Sequence, residues 1–572
     1  MYGSRIFGWF AIGAFLMPSL VWAQEPLAGR VVKESFAPQL HIARPIVDLS
    51  AFSGAAAPPG ADRMKLDISG VRFEGDPCPD PEAAERLTKA LTTRDLTVAD
   101  LYARVHAMEQ DLAKAGYVLT RVTVPPQRIA PGSRVVVRIV NGYLETIDGS
   151  ALPESIREPI RTRLAGLVNQ PLLRRADIER ALLVAGDLGG LSLRSTFAPG
   201  EKPGGTKLIL DGSFRRITGT LGIDRMASNA VGGWETNASV SLNSLFGHGE
   251  QIYLSYQGDP QTTFDADARM RILAGGLVMP IGGDGLTLTP ELVWARIVPD
   301  SQSGVINTRN EMARGSLRIN YPLIRQLDRT VMIYSSFEAI NQRVRATDFG
   351  QTLSSDSYLA WRSGFDFQSS ASPDLTLFGS IKVSQGLGAI GSVFDGVAGA
   401  PSTHVGAGSG FTKINAAAGA TNVVGPFTLS MVLRGQTSFG RSLFNSEQLS
   451  LDGSDALSSL PPGAYVVDEG ATLRTELAHS FAFTLPFSGA GGSLASPYLF
   501  AVYGAGQTVN PTAVESAMTR ATGVGAGVRT KLWQSGDQTQ ALALGFEFGH
   551  AWIAASSKVQ ASRANLTLGW SF

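Results

Sequence analysis

From residue 213 to the C-terminus, apolar residues alternate with small or polar residues over segments of about ten residues, the length of a tilted membrane-spanning strand. Clear examples are residues 234–242, 427–434, 542–548 and 564–572. Because successive side chains of a β-strand point to opposite faces, each segment predicts a strand with one apolar and one polar face.

A soluble β-sandwich also alternates, so this pattern alone leaves two folds open. Three features favour a membrane barrel: an N-terminal export signal, the lack of clear helix signals over residues 213–572, and an aromatic terminus that ends in Phe572. A soluble sandwich of that length would usually divide into several domains. Because a bilayer offers no partner for an open sheet edge, the sheet must close. At about 20 to 24 residues per strand and connection, the region predicts about 16 antiparallel strands.

The first residues of the chain have the pattern of an export signal. Arg5 precedes an uncharged apolar stretch, residues 7–22, which ends at the small residue Ala23. This predicts a secretory signal peptide over residues 1–23. A membrane anchor is the alternative, but the stretch is short for a span of about 20 residues and contains Pro18.

Between the signal and the barrel, the pattern mixes helices and strands. Residues 24–63 predict a lead-in and linker, in which prolines break any long helix. Residues 64–145 and 146–212 each predict the order β-α-α-β-β, a small sheet covered on one side by two helices. One helix of the first module is well signalled, because Thr97 and Asp100 have the spacing of a capping box. The chain therefore predicts an α+β region of two tandem modules, followed by an all-β barrel.

Charge and composition disfavour several classes of function. The chain has 49 Lys and Arg against 49 Asp and Glu, so no basic excess favours nucleic acid as a partner. One cysteine allows no internal disulfide, and the six histidines lie outside any metal-binding spacing. The glycine-rich residues 491–495 and 523–527 lack the context of a nucleophile elbow or a dinucleotide loop. We therefore expect no catalytic residue, no metal site and no cofactor.

Residues 96–147 resemble the first POTRA (polypeptide-transport-associated) domain of two-partner secretion transporters, the TpsB family of haemolysin and filamentous-haemagglutinin exporters. The residues that carry the resemblance are Gly116, Tyr117, Arg121, Val122, Pro125, Pro126, Gln127, Gly132 and 141–145. Residues 171–210 are similar to the family's second POTRA domain, and residues 234–258 to its first barrel hairpin. With later barrel segments in the expected order, the likeness covers nearly all of residues 64–572.

The resemblance implies an outer-membrane pore with its POTRA domains in the periplasm. A large unfolded exoprotein would dock its N-terminal secretion domain on the POTRA domains, thread through the barrel and fold outside. A sheet edge of a POTRA domain can receive an extended segment by strand addition. The candidate contact residues are Arg121, Pro125, Pro126, Gln127, Arg134 and Arg138. The alternative for each of them is an ordinary surface or turn residue.

Two further partners follow from the same resemblance. Lipid of the outer membrane surrounds the barrel, and the barrel-assembly machinery inserts it, with Phe572 as the C-terminal barrel signal. An insertase that assembles other barrels is one alternative function. A passive porin or adhesin, in which the modules only anchor the barrel, is another.

Charged residues of the predicted barrel strands indicate a polar lumen, because a charge on the lipid face costs about 2 to 4 kcal/mol at the bilayer midplane. The lumen candidates are Arg434, Glu447, Arg474, Glu476 and Glu547.

The chain departs from the family in the sixth external loop, which folds back into the barrel. In the family, the arginine of a Val-Arg-Gly-Tyr/Phe motif in this loop pairs with an aspartate on the barrel wall. Alignment on the flanking residues places Ser458 at the arginine and Val502 at the aspartate. We therefore expect other contacts to hold the loop. Residues 25–63 also lack the long Ala/Gln/Arg-rich helix of the family's barrel-plugging segment, so no plug helix is expected.

Overall fold

The computed structural model describes residues 27–38, 46–48, 57–92, 95–301, 306–388, 400–483, 493–513, 515–535 and 540–572. The predicted signal peptide and much of the predicted lead-in lie outside these residues. The described chain divides into an α/β region that ends at residue 214 and a closed β-barrel that begins at residue 217.

The lead-in and the first module make up the chain to residue 140. Their elements are α1 (Ala28–Val31), β1 (Ile46–Asp48), β2 (Lys65–Leu66), β3 (Ile68–Gly75), α2 (Pro81–Leu91), β4 (Leu96–Thr97), α3 (Val98–Lys114), β5 (Arg121–Thr123) and β6 (Ser133–Val140). β6 lies at the centre of a three-stranded sheet, parallel to β3 and antiparallel to β5. The capping box of α3 is present: the Asp100 amide donates to the Thr97 hydroxyl at 3.1 Å, and the Thr97 amide donates to the Asp100 carboxylate at 2.9 Å.

The two helices cover one face of this sheet because each carries one apolar side. Leu101 and Leu112 of α3 are buried in one cluster with Val135 of β6. Arg134 and Arg138 alternate with the buried residues of β6, so they are exposed on the opposite face.

The second module repeats the order β-α-α-β-β. Its elements are β7 (Tyr143–Asp148), α4 (Glu154–Leu164), α5 (Arg175–Gly186), β8 (Leu191–Pro199) and β9 (Gly205–Phe214). β7 is parallel to β9, β8 is antiparallel to β9, and the lead-in strand β1 pairs in parallel with the outer edge of β8. The predicted boundaries after residues 145 and 212 fall inside β7 and β9. The residues that close the first module's resemblance thus already begin the second sheet.

The barrel has 16 antiparallel strands, as predicted. Its elements are β10 (Ile217–Asp224), β11 (Glu235–Asn243), β12 (Gln251–Gly258), β13 (Met270–Ile281), β14 (Leu286–Ile297), β15 (Thr308–Arg325), β16 (Arg329–Ala346), β17 (Gln351–Ser370), β18 (Leu375–Gly386), β19 (Thr412–Val424), β20 (Phe427–Thr437), β21 (Leu449–Ser450), β22 (Val466–Val467), β23 (Glu469–His479), β24 (Phe481–Phe483), β25 (Ser493–Gln507), β26 (Met518–Gln534), β27 (Ala541–Ala554) and β28 (Lys558–Ser571). β21 and β22 form a separate pair inside a loop, and β23 and β24 are consecutive parts of one strand, both paired with β25. β10 pairs with β28 and closes the barrel.

The predicted alternation places apolar residues outside and polar residues inside. Leu292 of β14 is 73% exposed on the outer surface, while its neighbour Glu291 is buried. Leu254 of β12 is likewise 62% exposed, and Gln257 on the other face is buried. The predicted fold, an α+β region followed by a membrane-type barrel, is therefore confirmed. Separately, none of the described helices is long and apolar enough to cross a membrane.

The second module packs against one end of the barrel, here called the lower end. Arg325 at the end of β15 donates two hydrogen bonds, of 2.9 and 2.6 Å, to the carboxylate of Asp187 after α5. The C-terminus lies at the same end, where Phe572 and Gly219 exchange both backbone hydrogen bonds, at 2.9 and 3.0 Å. The long loops lie at the opposite, upper end.

Candidate functional site

The barrel lumen holds two segments of the chain itself. One is the lead-in segment, residues 27–38. The other is the sixth upper loop, residues 438–468, which connects β20 to β23 and packs on the inner wall. These two segments and their anchors form the candidate site, because anything large that crosses the barrel must displace them.

Glu291 of β14 holds the lead-in segment to the wall. Its carboxylate accepts hydrogen bonds from the Phe36 amide at 2.8 Å and from the Ser35 hydroxyl at 3.2 Å. Arg314 of β15 donates to the same carboxylate at 3.2 Å and to the Lys33 carbonyl at 2.9 Å. A buried ion pair on the wall thus binds both the backbone and a side chain of the segment.

The lead-in segment occupies the lumen without the long helix whose absence the sequence led us to expect. α1 is a single turn of four residues, so the segment contains no long helix. The lead-in segment nevertheless occupies the lumen, where Ala28 is fully buried in a cluster with Ile272, Ala295 and Phe444. Its contacts are with strands that lie far along the chain. The segment itself has no periodic pattern that would predict them.

Replacing Glu291 with glutamine is expected to loosen the lead-in segment. Glutamine keeps the side-chain shape but removes the charge that pairs with Arg314, and breaking a buried pair costs about 3–5 kcal/mol. The amides of residues 33–36 should then exchange with solvent about tenfold faster or more. Glu250→Gln is the matched control, because Glu250 is a buried carboxylate of the barrel whose hydrogen bonds come from backbone amides of its own lower turn. Equal exchange of the segment in both variants would contradict the assignment.

Glu447 anchors the start of the sixth loop, and it lies in a short turn of that loop, Asn445–Glu447, and not in a barrel strand. Its carboxylate accepts hydrogen bonds from Arg362 at 3.0 and 2.6 Å and from the Tyr358 hydroxyl at 2.7 Å. Lys413 of β19 lies 2.9 Å from it. All four side chains are buried, so the loop is fixed at its root by wall charges.

The two lumen segments also contact each other. Arg30 of the lead-in segment donates a hydrogen bond of 3.0 Å to the Asn445 side chain, next to the loop anchor. Displacement of one segment therefore disturbs the other.

Farther along, the sixth loop packs on the wall through apolar side chains. Leu451, Leu457 and Leu460 of the loop are buried against residues of β25, β26 and β27. Val502 belongs to this cluster and is 4% exposed. The position that the resemblance aligns with the family's wall aspartate is thus part of an apolar contact in this chain.

The polar contact of the loop comes from Arg474 on β23. Its Nη1 donates to the Ser458 hydroxyl and to the Ala456 carbonyl, both at 3.0 Å. The Ser458 carbonyl accepts a further hydrogen bond from the Asn565 side chain at 2.8 Å. The arginine therefore lies on the wall and its acceptors on the loop, the reverse of the arrangement that the resemblance implies.

Two other predicted lumen residues position Arg474. Its Nε donates to Glu476 at 2.8 Å and its Nη2 to Glu547 at 2.7 Å. Its guanidinium lies 4.0 Å from the centre of the Phe500 ring. Three of the five lumen candidates thus form one cluster at the loop contact, while Arg434 lies on β20 outside it.

In the first module, the edge strand β5 is the candidate docking site. Arg121 donates to Glu109 of α3 at 3.0 Å; burial lowers the pKa of Arg121, and the Glu109 charge opposes this shift. The Val122 amide, which points away from β6, donates to the same carboxylate at 3.2 Å. Glu109 therefore covers a donor on the open edge of the sheet.

The other predicted contact residues of this module divide between a turn and a surface. The Gln127 side chain exchanges two hydrogen bonds, both of 2.8 Å, with the backbone of Val136, so it fixes the turn after β5 to β6. Pro125 in this turn is half-buried, and the exposed candidates are Pro126, Arg134 and Arg138.

Sequence reasoning missed Glu109 and Glu291. Glu109 had a detectable signal, because it lies beside the apolar stripe of α3 at helical spacing from Val105 and Leu112, where a charge is unusual. Glu291 is a polar residue at an inward position of its strand, but its partner segment could not be read from the alternation. Among the described residues, no cluster of His, Cys, Asp and Glu is placed to hold a metal ion.

Comparisons with known proteins agree with this arrangement. Residues 66–142 match the POTRA domain of ShlB type. The outer membrane transporter CdiB of Escherichia coli is 25% identical over 210 residues, which are 35% of this chain and 34% of CdiB, so the match spans about a third of that relative.

Two solved structures share the fold. CdiB from Escherichia coli aligns with a TM-score of 0.67 and 18% identity over 93% of this chain and 94% of that chain. CdiB from Acinetobacter baumannii aligns with a TM-score of 0.58 and 14% identity over 89% of this chain and 90% of that chain. Residues 204–530, more than half of the chain, match the haemolysin secretion/activation proteins. The chain therefore belongs to the ShlB/FhaC/HecB family of haemolysin secretion/activation proteins.

Proposed function

We propose that this protein secretes a large exoprotein through its barrel by two-partner secretion. The observation that carries the proposal is a wide barrel filled by two segments of its own chain, with the second module packed against its lower end. A barrel of 16 strands leaves an aqueous channel when it is empty. Family membership supports the same function.

The family also fixes the orientation. The barrel lies in the outer membrane and the POTRA domains lie in the periplasm. The lower end of the barrel is thus periplasmic and the upper end is extracellular.

The exoprotein first docks on the POTRA domains. An extended segment of the exoprotein adds to the edge of β5. A backbone carbonyl of this segment then accepts the hydrogen bond that the Val122 amide otherwise donates to Glu109. Backbone hydrogen bonds then supply affinity, and side chains around the edge supply selectivity. The displaced Glu109 keeps Arg121 as its partner, which limits the cost of the exchange.

Passage through the barrel then requires that the lead-in segment and the sixth loop leave the lumen. Their anchors are hydrogen bonds and ion pairs with the wall, so they can be exchanged for contacts with an unfolded chain. Folding of the exoprotein outside the cell gives the process its direction. The segments that block the lumen are anchored at several points, which favours a gated secretion pore over a permanently open porin.

Deletion of the gene tests the function. The proteins of the medium and the cell surface are compared with those of the parent by mass spectrometry. We expect one large protein to disappear from outside and to return when the chain is restored. A joint decrease of many outer-membrane barrels would identify an insertase instead, and a change confined to uptake of small solutes would identify a porin.

Removal of the edge cover is expected to strengthen docking. Glu109→Ala frees the Val122 amide, so an incoming segment no longer displaces a charge-assisted hydrogen bond worth about 1.5–3 kcal/mol. Binding of the exoprotein's secretion domain to the variant should tighten about tenfold. Arg121→Gln is the control, because it breaks the same ion pair but keeps the Glu109 carboxylate on the amide. Equal affinities of the two variants would argue against docking at this edge.

A further inference from the structure

A row of arginines lies on the outer surface of the barrel, near the extracellular ends of β13 to β16. Its members are Arg271, Arg296, Arg309, Arg343 and Arg345. Each lies between residues that face the lumen; Arg296, for example, lies between the buried Ala295 and Ile297. Across the sheet, Arg271 lies opposite Arg296, and Glu311 lies between Arg296 and Arg343. Within these strand ends, five positive charges therefore lie around one acid, Glu311.

The second extracellular loop, residues 259–269 between β12 and β13, contacts three members of this row. Arg271 donates hydrogen bonds to the Thr263 and Asp265 carbonyls at 2.8 and 2.7 Å, and Arg296 donates to the Ala266 carbonyl. Arg309 pairs with Asp267 at 3.2 Å.

The arginines keep unused hydrogen-bond donors after these contacts. The Nε groups of Arg296 and Arg309 are buried and have no acceptor among the described residues, so each guanidinium keeps one donor that a shift of its side chain would expose to a ligand. Like charges on neighbouring strands destabilise a sheet unless something compensates them, and an outward arginine at this depth faces lipid headgroups and not water alone. A ligand with negatively charged oxygens would compensate the like charges and accept hydrogen bonds from the arginines.

An apolar groove lies directly below the row. It has a volume of about 1020 Å³ and crosses β10 to β16 on the lipid-facing side. Leu273 and Trp294 line it two residues below Arg271 and Arg296 on the same strands. Gly275, Gly315 and Ala339 occupy the next level on either side of Leu292, so these small residues leave hollows beside that side chain. The groove is thus shaped for hydrocarbon chains that hang below a headgroup.

We propose that this surface binds a phosphorylated, multiply acylated glycolipid of the extracellular leaflet, of the lipid A type. One arginine side chain can donate two parallel, charge-assisted hydrogen bonds to the oxygens of a phosphate group. The groove takes one or more acyl chains of the same molecule. The extracellular position of the row favours this lipid over glycerophospholipids, because the headgroups of the opposite leaflet lie at the other end of the strands.

Native mass spectrometry of the purified protein tests the site. The protein is mixed in detergent with diphosphorylated lipid A, with dephosphorylated lipid A, or with phosphatidylglycerol. We expect the parent to retain diphosphorylated lipid A and to retain the other two lipids about tenfold less. The double variant Arg296→Gln/Arg343→Gln should lose this preference. Arg520→Gln is the matched control, since Arg520 is an outward residue at the extracellular end of β26.

A second variant tests the groove separately. A Cβ atom added at Gly315 meets only the Leu292 side chain, at 3.5 Å, so the Gly315→Phe side chain leaves the backbone without a clash and projects into the groove. Retention of diphosphorylated lipid A should fall while the folded barrel persists in gel-shift assays. Equal retention of the dephosphorylated lipid or of phosphatidylglycerol by the parent would overturn the proposal. So would an equal loss of lipid A in Arg520→Gln.

Discussion

Replacement of Arg474 with glutamine is expected to open the channel. The variant loses the charge-assisted hydrogen bonds to Ser458 and Ala456, which are worth about 1.5–3 kcal/mol each. A loss of about 3 kcal/mol shifts the equilibrium between the docked and released loop about a hundredfold. In planar bilayers, the variant should therefore show a larger fraction of open channels than the parent. Cells that carry it should also admit large antibiotics more readily.

Arg529→Gln separates this effect from a general change of lumen charge. Arg529 donates to the same Glu476 carboxylate as Arg474, at 2.7 and 3.0 Å, but lies outside the loop contact. Both variants remove one positive charge next to that carboxylate. If they conduct alike, Arg474 does not hold the loop.

Replacement of Glu447 with glutamine is expected to destabilise the whole barrel. The change leaves Lys413 and Arg362 buried with one carboxylate fewer between them, and breaking such a network costs about 3–5 kcal/mol. The temperature at which the folded form is lost in heat-modifiability gels should fall. Asp455→Asn, an exposed carboxylate of the same loop, should leave it unchanged.

A compensating change makes the second prediction specific. Adding Lys413→Met to Glu447→Gln removes the uncompensated lysine charge, so most of the lost stability should return. If the double variant is less stable than the single one, Glu447 acts through packing or hydrogen bonds and not through its charge.

Repeating physical patterns made much of the fold predictable. The barrel follows from alternation, because a strand between lipid and water must change polarity at every residue. The helix α3 follows from its capping box and its apolar stripe. The resemblance to the first POTRA domain is confirmed over residues 66–142, and the resemblance to the family is confirmed over residues 204–530.

Other features have no such pattern. Residues 27–38 lie in the lumen through contacts with residues such as Glu291 and Arg314, which are more than 250 residues away along the chain. β1 joins the second module through three residues. The expectation that other contacts hold the sixth loop rests on Ser458 and Val502, but only the three-dimensional arrangement reveals that Arg474 reaches Ser458 from the barrel wall. Contacts of this kind depend on distant partners, so local sequence cannot announce them.

The lead-in chain also acts as a tether. Its residues 27–38 lie in the lumen, while β1 begins at Ile46 and pairs with the periplasmic strand β8. A chain spans at most about 3.3–3.6 Å per residue, so Pro38 and Ile46 cannot separate by more than about 29 Å. A lumen segment pushed out by the exoprotein therefore stays near the periplasmic mouth while β1 remains paired. Because the connection is short, the effective concentration of the segment at the lumen is in the millimolar range. This favours rapid return of the segment to the lumen and closure of the pore after each passage.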